Sequence, residues 1–302
     1  MKLRTLAVIW VVATVPAPSA LSADGGSVGA VLVFHRTTGF VHPSIPAGLE
    51  AIKAMGATHH FAVDTTADPA AFTPANLARY KAVIFLSTTG DVLPERAQRA
   101  ALETYIRSGG GYFGIHAAAD MGAARDTWPW YRELVGAAFK GHTGARIYSD
   151  APLPPAAAGG ARITPGGKLA DAPADADDVP QWPVKTVSWE PARIVVEDPT
   201  SPLVQGWGPS VTRSDEWYGF RTNPRPNVHV IASLDETSYE PAAGAMGGDH
   251  PITWCRPYDG GRSVYTGLGH PKSAWRDPQM LDHVLGGIRL AAGSVPFNCG
   301  PK

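Results

Sequence analysis

The sequence predicts an α/β protein built on a doubly wound, mostly parallel sheet, with further strands added in its second half. Three observations carry that expectation. Short apolar runs without polar alternation recur at Val28–Phe34, Ala82–Leu86 and Tyr112–Ile115, as expected of strands buried on both faces. Segments of helical periodicity separate them, the alternation that builds βαβ units. The 33 glycines and 28 prolines among 302 residues exclude a coiled coil or a plain helical bundle.

The elements follow in order. Pro43 to Met55 places Ile45, Leu49, Ile52 and Met55 at helical spacing and stops at Gly56. His60–Val63 is a short strand and Pro74–Arg79 a short helix. Pro94–Ser108 is a helix with proline near its start and Gly109 just past its end. In the second half, Arg193–Glu197, Val228–Ser233, Ile252–Arg256 and Ser263–Gly267 have strand character, and Pro278–Ala292 is a closing helix. From Ser149 to Pro183 the chain is rich in Ala, Pro, Gly and Asp without periodicity, as in an exposed insertion within a single domain spanning 28–295.

Lys2 and Arg4, the apolar run Leu6–Val15 and the small-residue stretch up to Ala23 have the pattern of a signal peptide, with cleavage expected after Ser22. The apolar run is too short to span a membrane. An exported, periplasmic or secreted protein is therefore expected. In that setting Cys255 and Cys299 either form a disulfide or remain two buried thiols. The formal net charge of −1 leaves no electrostatic footprint for nucleic acid or for an anionic membrane.

Two motif matches fail on context. Gly25–Gly29 has the G-x-S-x-G string, but its serine precedes the first strand instead of following one. Gly109–Gly114 has the G-x-G-x-x-G string, but it ends a helix and enters a strand. No nucleotide cofactor is expected.

The chemically suggestive residues follow strands, at the rim where open α/β sheets bind ligands. They are His42, then Thr89 and Asp91, then His116 and Asp120, and finally His270. Gly114-Ile115-His116-Ala117-Ala118 places a histidine at a tight strand-to-helix turn, where α/β hydrolases carry a nucleophile. Asp120, four residues on, would share its helical face and orient the ring. The plainer alternative is a capping or core histidine with an acidic residue at a helix start. Asp215-Glu216-Trp217-Tyr218 joins carboxylates to aromatics, which suits a sugar ring, or is an ordinary strand entry. His142, His250 and His270 could ligate a metal or simply make loop hydrogen bonds.

Taken together, Gly39–His42, Gly109–Asp120, Trp128–Tyr131, Asp215–Tyr218, His250–Trp254 and Thr266–His270 resemble the ThuA-like (trehalose utilisation) family over nearly the whole mature chain. The resemblance implies a flavodoxin-like sheet related to class I glutamine amidotransferases. Where those enzymes carry cysteine this chain has His116, so glutaminase chemistry is not expected. The resemblance also implies carbohydrate catabolism. We expect cleavage of a glycoside or 3-keto-glycoside by elimination or hydrolysis. His116, Asp120 and Glu216 would be catalytic. His42, Thr89, Asp91, Trp130, Asp215, Trp217, Tyr218 and His270 would contact a small-molecule carbohydrate. A divalent metal, zinc or similar, would sit on His116, His142 and His250. The competing reading is a non-catalytic carbohydrate-binding module using Trp128, Trp130, Trp217 and Tyr218 as its platform.

Overall fold

The computed structural model describes residues 27–144 and 189–301, together with the backbone of four short strands between those stretches. The expected signal segment and most of the expected 149–183 insertion lie outside the described residues. In the first half, β1 (Ala30–Phe34), α1 (Ile45–Thr58), β2 (Ala62–Thr66), α2 (Pro74–Leu77), β3 (Ala82–Leu86), α3 (Arg96–Arg107) and β4 (Gly111–Ile115) alternate as expected. Two helices with no counterpart in the expected elements follow, α4 (Ala124–Thr127) and α5 (Pro129–Val135), and then β5 (Phe139–His142). Short strands β6 (Arg146–Tyr148), β7 (Arg162–Ile163), β8 (Leu169–Ala170) and β9 (Thr186–Ser188) pair as β6 with β9 and β7 with β8. The second half then adds β10 (Glu190–Val196), β11 (Ser210–Asp215), β12 (Tyr218–Phe220), β13 (His229–Asp235), β14 (His250–Tyr258), β15 (Gly261–Thr266) and α6 (Pro278–Ala292).

Nine strands form one sheet in the order β11-β10-β13-β14-β15-β4-β3-β1-β2. From β2 to β15 every ladder is parallel. With β15 as fifth strand this half has the flavodoxin-like order 2-1-3-4-5, whose switch point lies between β1 and β3. β3 and β4 are buried along their whole length, which explains their unbroken apolar sequences. From β15 outward every ladder is antiparallel. In β10, burial alternates residue by residue, as on a sheet with one wet face.

Helices cover both faces of the parallel half. The Phe113 face of β4 meets α6: a Cβ on Gly287 would lie 2.4 Å from the Phe113 ring, and one on Gly111 would lie 1.9 Å from the carbonyl of Ala291. Only glycine permits that approach. The Tyr112 face meets α5, where the Tyr112 and Tyr131 hydroxyls stand 3.2 Å apart. Asp277 caps α6 by accepting the Met280 N–H at 2.8 Å, and Gly293 closes it in the left-handed region at φ 69°. Cys255 and Cys299 are joined by a disulfide, which ties the C-terminal tail to β14. Among the described residues no helix is long and apolar enough to cross a membrane.

Candidate active site at the strand ends

The rim beyond the C-terminal ends of the parallel strands gathers side chains from both halves. The loop after β1 brings His42, the turn after β4 brings His116, and the loop after β15 brings His270. Glu216 arrives from the antiparallel half for a topological reason. The direction reverses at each of the four ladders from β15 to β11, so β11 runs in the same sense as β15 and ends on the same rim. Glu216 is the next residue. One ligand atom from each of His42, His116, Glu216 and His270 lies within 4.8 Å of the others, and all four residues are buried.

His116 occupies the left-handed region, at φ 51°, which is costly for a residue with a bulky side chain. Three contacts hold it there. Its Nδ1 lies 3.1 Å from the carbonyl of Gly267, its own carbonyl accepts the Tyr265 hydroxyl at 2.7 Å, and its ring lies 4.3 Å from that of Tyr218. A carbonyl can only accept, so Nδ1 carries a proton, and in the neutral ring Nε2 presents a lone pair. That lone pair faces His270 Nδ1 at 3.0 Å and Glu216 Oε2 at 3.4 Å, and His270 Nδ1 is itself 3.1 Å from the same carboxylate oxygen. Two acceptors therefore converge on one position, which a proton on His270 or a cation can satisfy.

Burial alone would push the Glu216 carboxyl up, but the imidazoles of His270, His116 and His142 outweigh it and hold the group well below the usual carboxylate range. His42 is driven the other way. Burial, then the neighbouring His116 and His270, push its imidazole down to about 2, so it is neutral. Its Nδ1 is buried and has no hydrogen-bond partner. Three imidazoles and one ionised carboxylate, one histidine locked through its far nitrogen to a carbonyl, form a donor set that fits zinc or a similar transition metal. His42, His116, Glu216 and His270 would hold it.

The ThuA family model, described as trehalose utilisation, matches residues 30–291. This chain belongs to the ThuA family. Among solved structures, a ThuA-like protein from Bacteroides uniformis ATCC 8492 is 20% identical, with a TM-score of 0.60 over 92% of this chain and 95% of that one. A ThuA-like protein from Parabacteroides merdae ATCC 43184 is 17% identical, with a TM-score of 0.58 over 90% and 97% of the two chains. At such identities the likeness concerns the fold. No curated protein matches the chain in sequence. Membership of the ThuA family gives the chain a carbohydrate-related role.

Several residues expected at the site of this ThuA-family chain lie elsewhere or do other work. His250 is not placed to ligate a metal with His116. Its Nδ1 lies 3.0 Å from Glu236 Oε1 and 3.1 Å from the Tyr239 hydroxyl, and its Nε2 lies 2.8 Å from the Tyr218 carbonyl. His142 stands at the rim, half-buried, with Nδ1 3.1 Å from Glu216 Oε1 and 2.7 Å from the Thr143 carbonyl. It reaches the four-residue group only through Glu216. Trp130 is excluded from the rim: its indole donates to Asp259 at 2.7 Å, and Asp259 lies in the turn before β15, at the opposite end of the sheet. Trp217 is fully buried and donates to the Glu190 carbonyl at 2.6 Å, as a core residue does.

His116 opens a single 3-10 turn, His116–Ala119, instead of a long helix, so Asp120 does not share a helical face with it. Asp120 is nonetheless close enough to feel the charge of His116 and His142, while burial raises its carboxyl. Thr89 donates its hydroxyl to the Phe40 carbonyl at 2.6 Å, bracing the loop that carries His42. Asp91 pairs with Arg99 of α3 at 2.7 Å. Asp215 accepts backbone N–H groups, and Tyr218 packs its ring on His116. Trp189, not among the expected site residues, is partly exposed, and its ring lies 4.1 Å from that of His270. A lone tryptophan behind an aperiodic stretch carries no pattern that marks it.

Proposed function

We propose that this protein is an enzyme that cleaves a glycoside or 3-keto-glycoside, by elimination or hydrolysis, at the group formed by His42, His116, Glu216 and His270. The convergence of these four buried side chains from four separate segments carries the reading. A hydrogen-bonded core does not need three imidazoles crowded around one carboxylate. A divalent metal bound there would polarise a substrate carbonyl or activate water. A ketone at C3 acidifies the C2–H bond. A base removes that proton, the electron pair forms the C1–C2 double bond, and the C1–O bond breaks as the leaving oxygen takes a proton. In this reading His142, half-buried beside Glu216, takes the first proton. In the same reading Asp120, whose carboxyl is raised by burial, gives the second. Trp189, partly exposed beside His270, offers an apolar face for the sugar ring. The binding-module reading loses support, because Trp128 stacks on Trp130 away from the rim and Trp217 is in the core.

The test is to incubate the protein with a panel of 3-keto-glycosides and follow aglycone release. Wild type is expected to release aglycone at least a hundredfold faster than His116→Ala. Equal slow rates would sink the proposal. We also propose export with cleavage after Ser22, supported by the Cys255–Cys299 disulfide. The mass of the protein recovered from its native host decides that point.

A further inference from the structure

Asp215 is buried at the end of β11, and its carboxylate reaches beyond its own turn. Other aspartates here cap their own turns. Asp68 accepts from Ala70, Asp235 from Thr237 and Asp277 from Met280, each a cap two or three residues away. Asp215 Oδ2 instead accepts the Gly269 N–H at 2.8 Å, and Oδ1 accepts the His270 N–H at 3.1 Å and the Glu216 N–H at 2.9 Å. One side chain thus fastens two segments more than fifty residues apart, and each of them carries a member of the four-residue group. The backbone of Asp215 is also paired with Glu190, the residue after Trp189. Three pieces of the site therefore meet at this one residue.

We propose that Asp215 is the positioning residue that holds Glu216 and His270 in one frame, fixing the donor geometry for a divalent cation. The cation part rests on the function proposed above, whereas the framing of the two side chains does not. In β-sheet terms, β11 lies at the far edge of the sheet from β15, separated from it by β10, β13 and β14. Four ladders separate these strands and none joins them directly; the direct ties between their ends are the Asp215 bonds, with the Arg213–Asp277 ion pair beside them. Supporting partners of this kind typically change metal affinity by about 10- to 100-fold when removed.

Asp215→Asn tests this directly. The amide carbonyl can keep the Glu216 and His270 bonds, but the NH₂ group then faces the Gly269 N–H, donor against donor. The variant should keep its disulfide and near-UV circular dichroism, and bind Zn²⁺ about 10- to 100-fold more weakly. The side-chain ¹H–¹⁵N signals of His116 and His270 should shift even without metal. Asp235→Asn, which loses the ion pair with Arg193 and lies outside the four-residue group, serves as the control and should lower Tm while leaving those signals and the affinity unchanged. Wild-type histidine signals in Asp215→Asn would overturn the proposal. If wild type takes up no Zn²⁺, the metal reading fails and the histidine spectra alone decide the role of Asp215. Should Asp215→Asn not fold, amide exchange in wild type decides. The amides of Glu216, Gly269 and His270 should open as one protected unit, and fast exchange at Gly269 alone would refute the frame.

Discussion

The two halves of the sheet contribute to the site in different ways. The parallel half, β2-β1-β3-β4-β15, delivers His42, His116 and His270 from the ends of three of its strands. The antiparallel half, β14-β13-β10-β11, delivers Glu216, Asp215 and Trp189 near strand junctions. A parallel ladder puts every C-terminus on one rim, so chemistry there follows from topology alone. An antiparallel ladder puts alternate ends there, and a residue reaches the rim only if the number of reversals is right. The histidines therefore come from the general property of the fold, while the carboxylate depends on the count of strands added to it.

The largest expected effect tests whether the two contributions form one unit. His116→Ala, from the parallel half, and Glu216→Ala, from the antiparallel half, should each lower turnover by about 10²- to 10⁴-fold. Each should also strip the protein of stoichiometric metal, measured by elemental analysis after dialysis. His250→Gln, in the antiparallel half but outside the group, should keep its metal. If Glu216→Ala retains metal and rate while His116→Ala does not, the antiparallel half is scaffold only.

What could be read from sequence divides along the same line. β3 and α6 have the bounds their residues predict, Ala82–Leu86 and Pro278–Ala292, because uninterrupted apolar runs and capped amphipathic helices are local signals. The rim position of His42, His116 and His270 was legible once the strands before them were. β11, β12 and α5 were not legible. Ser210–Asp215 lies at the sheet edge with its side chains mostly outward, so it carries no apolar pattern to detect. The assignment of His250 to a metal failed because a histidine beside a proline has the same sequence whether its partner is a cation or Glu236. The single turn after His116 was hidden as well, since Ala117–Ala119 favours a longer helix by composition.

The next effect concerns the antiparallel half alone. Cys255 and Cys299 close a loop with a sequence separation of 44, and losing such a link typically costs about 2–4 kcal/mol. Cys255→Ser with Cys299→Ser should lower the denaturant midpoint with little change in m, read by urea titration. The parallel strands should keep their amide protection longer than β13 and β14 do. Simultaneous loss of protection would show that the halves unfold as one.

A comparable effect belongs to the parallel half. His283 on α6 is fully buried, with Nδ1 2.8 Å from the Leu203 carbonyl and Nε2 2.9 Å from the Thr266 hydroxyl. Burial pushes its imidazole down to about 4, against an ordinary value of 6.5. The unfolded chain therefore takes up a proton between these values while the folded chain does not. Stability is retained above about pH 6.5 and falls as the pH drops toward 4, by up to roughly 3 kcal/mol. His283→Asn should flatten that part of the pH–stability curve, measured by urea midpoints from pH 7.5 to 4. An unchanged slope would show that other groups dominate acid sensitivity.

The smallest effect tests whether the antiparallel half touches substrate or only shapes the site. Trp189 is partly exposed and lies edge-to-face against His270, so its outer surface is available to a ring. Covering that face removes apolar area from water, worth roughly 25 cal/mol per Å². Trp189→Ala should raise KM severalfold with kcat nearly unchanged, and Trp189→Phe should restore most of the loss. A fall in kcat with constant KM would mean that the indole acts by buttressing His270. In that case the antiparallel half would contribute one ligating carboxylate and otherwise only position what the parallel half supplies.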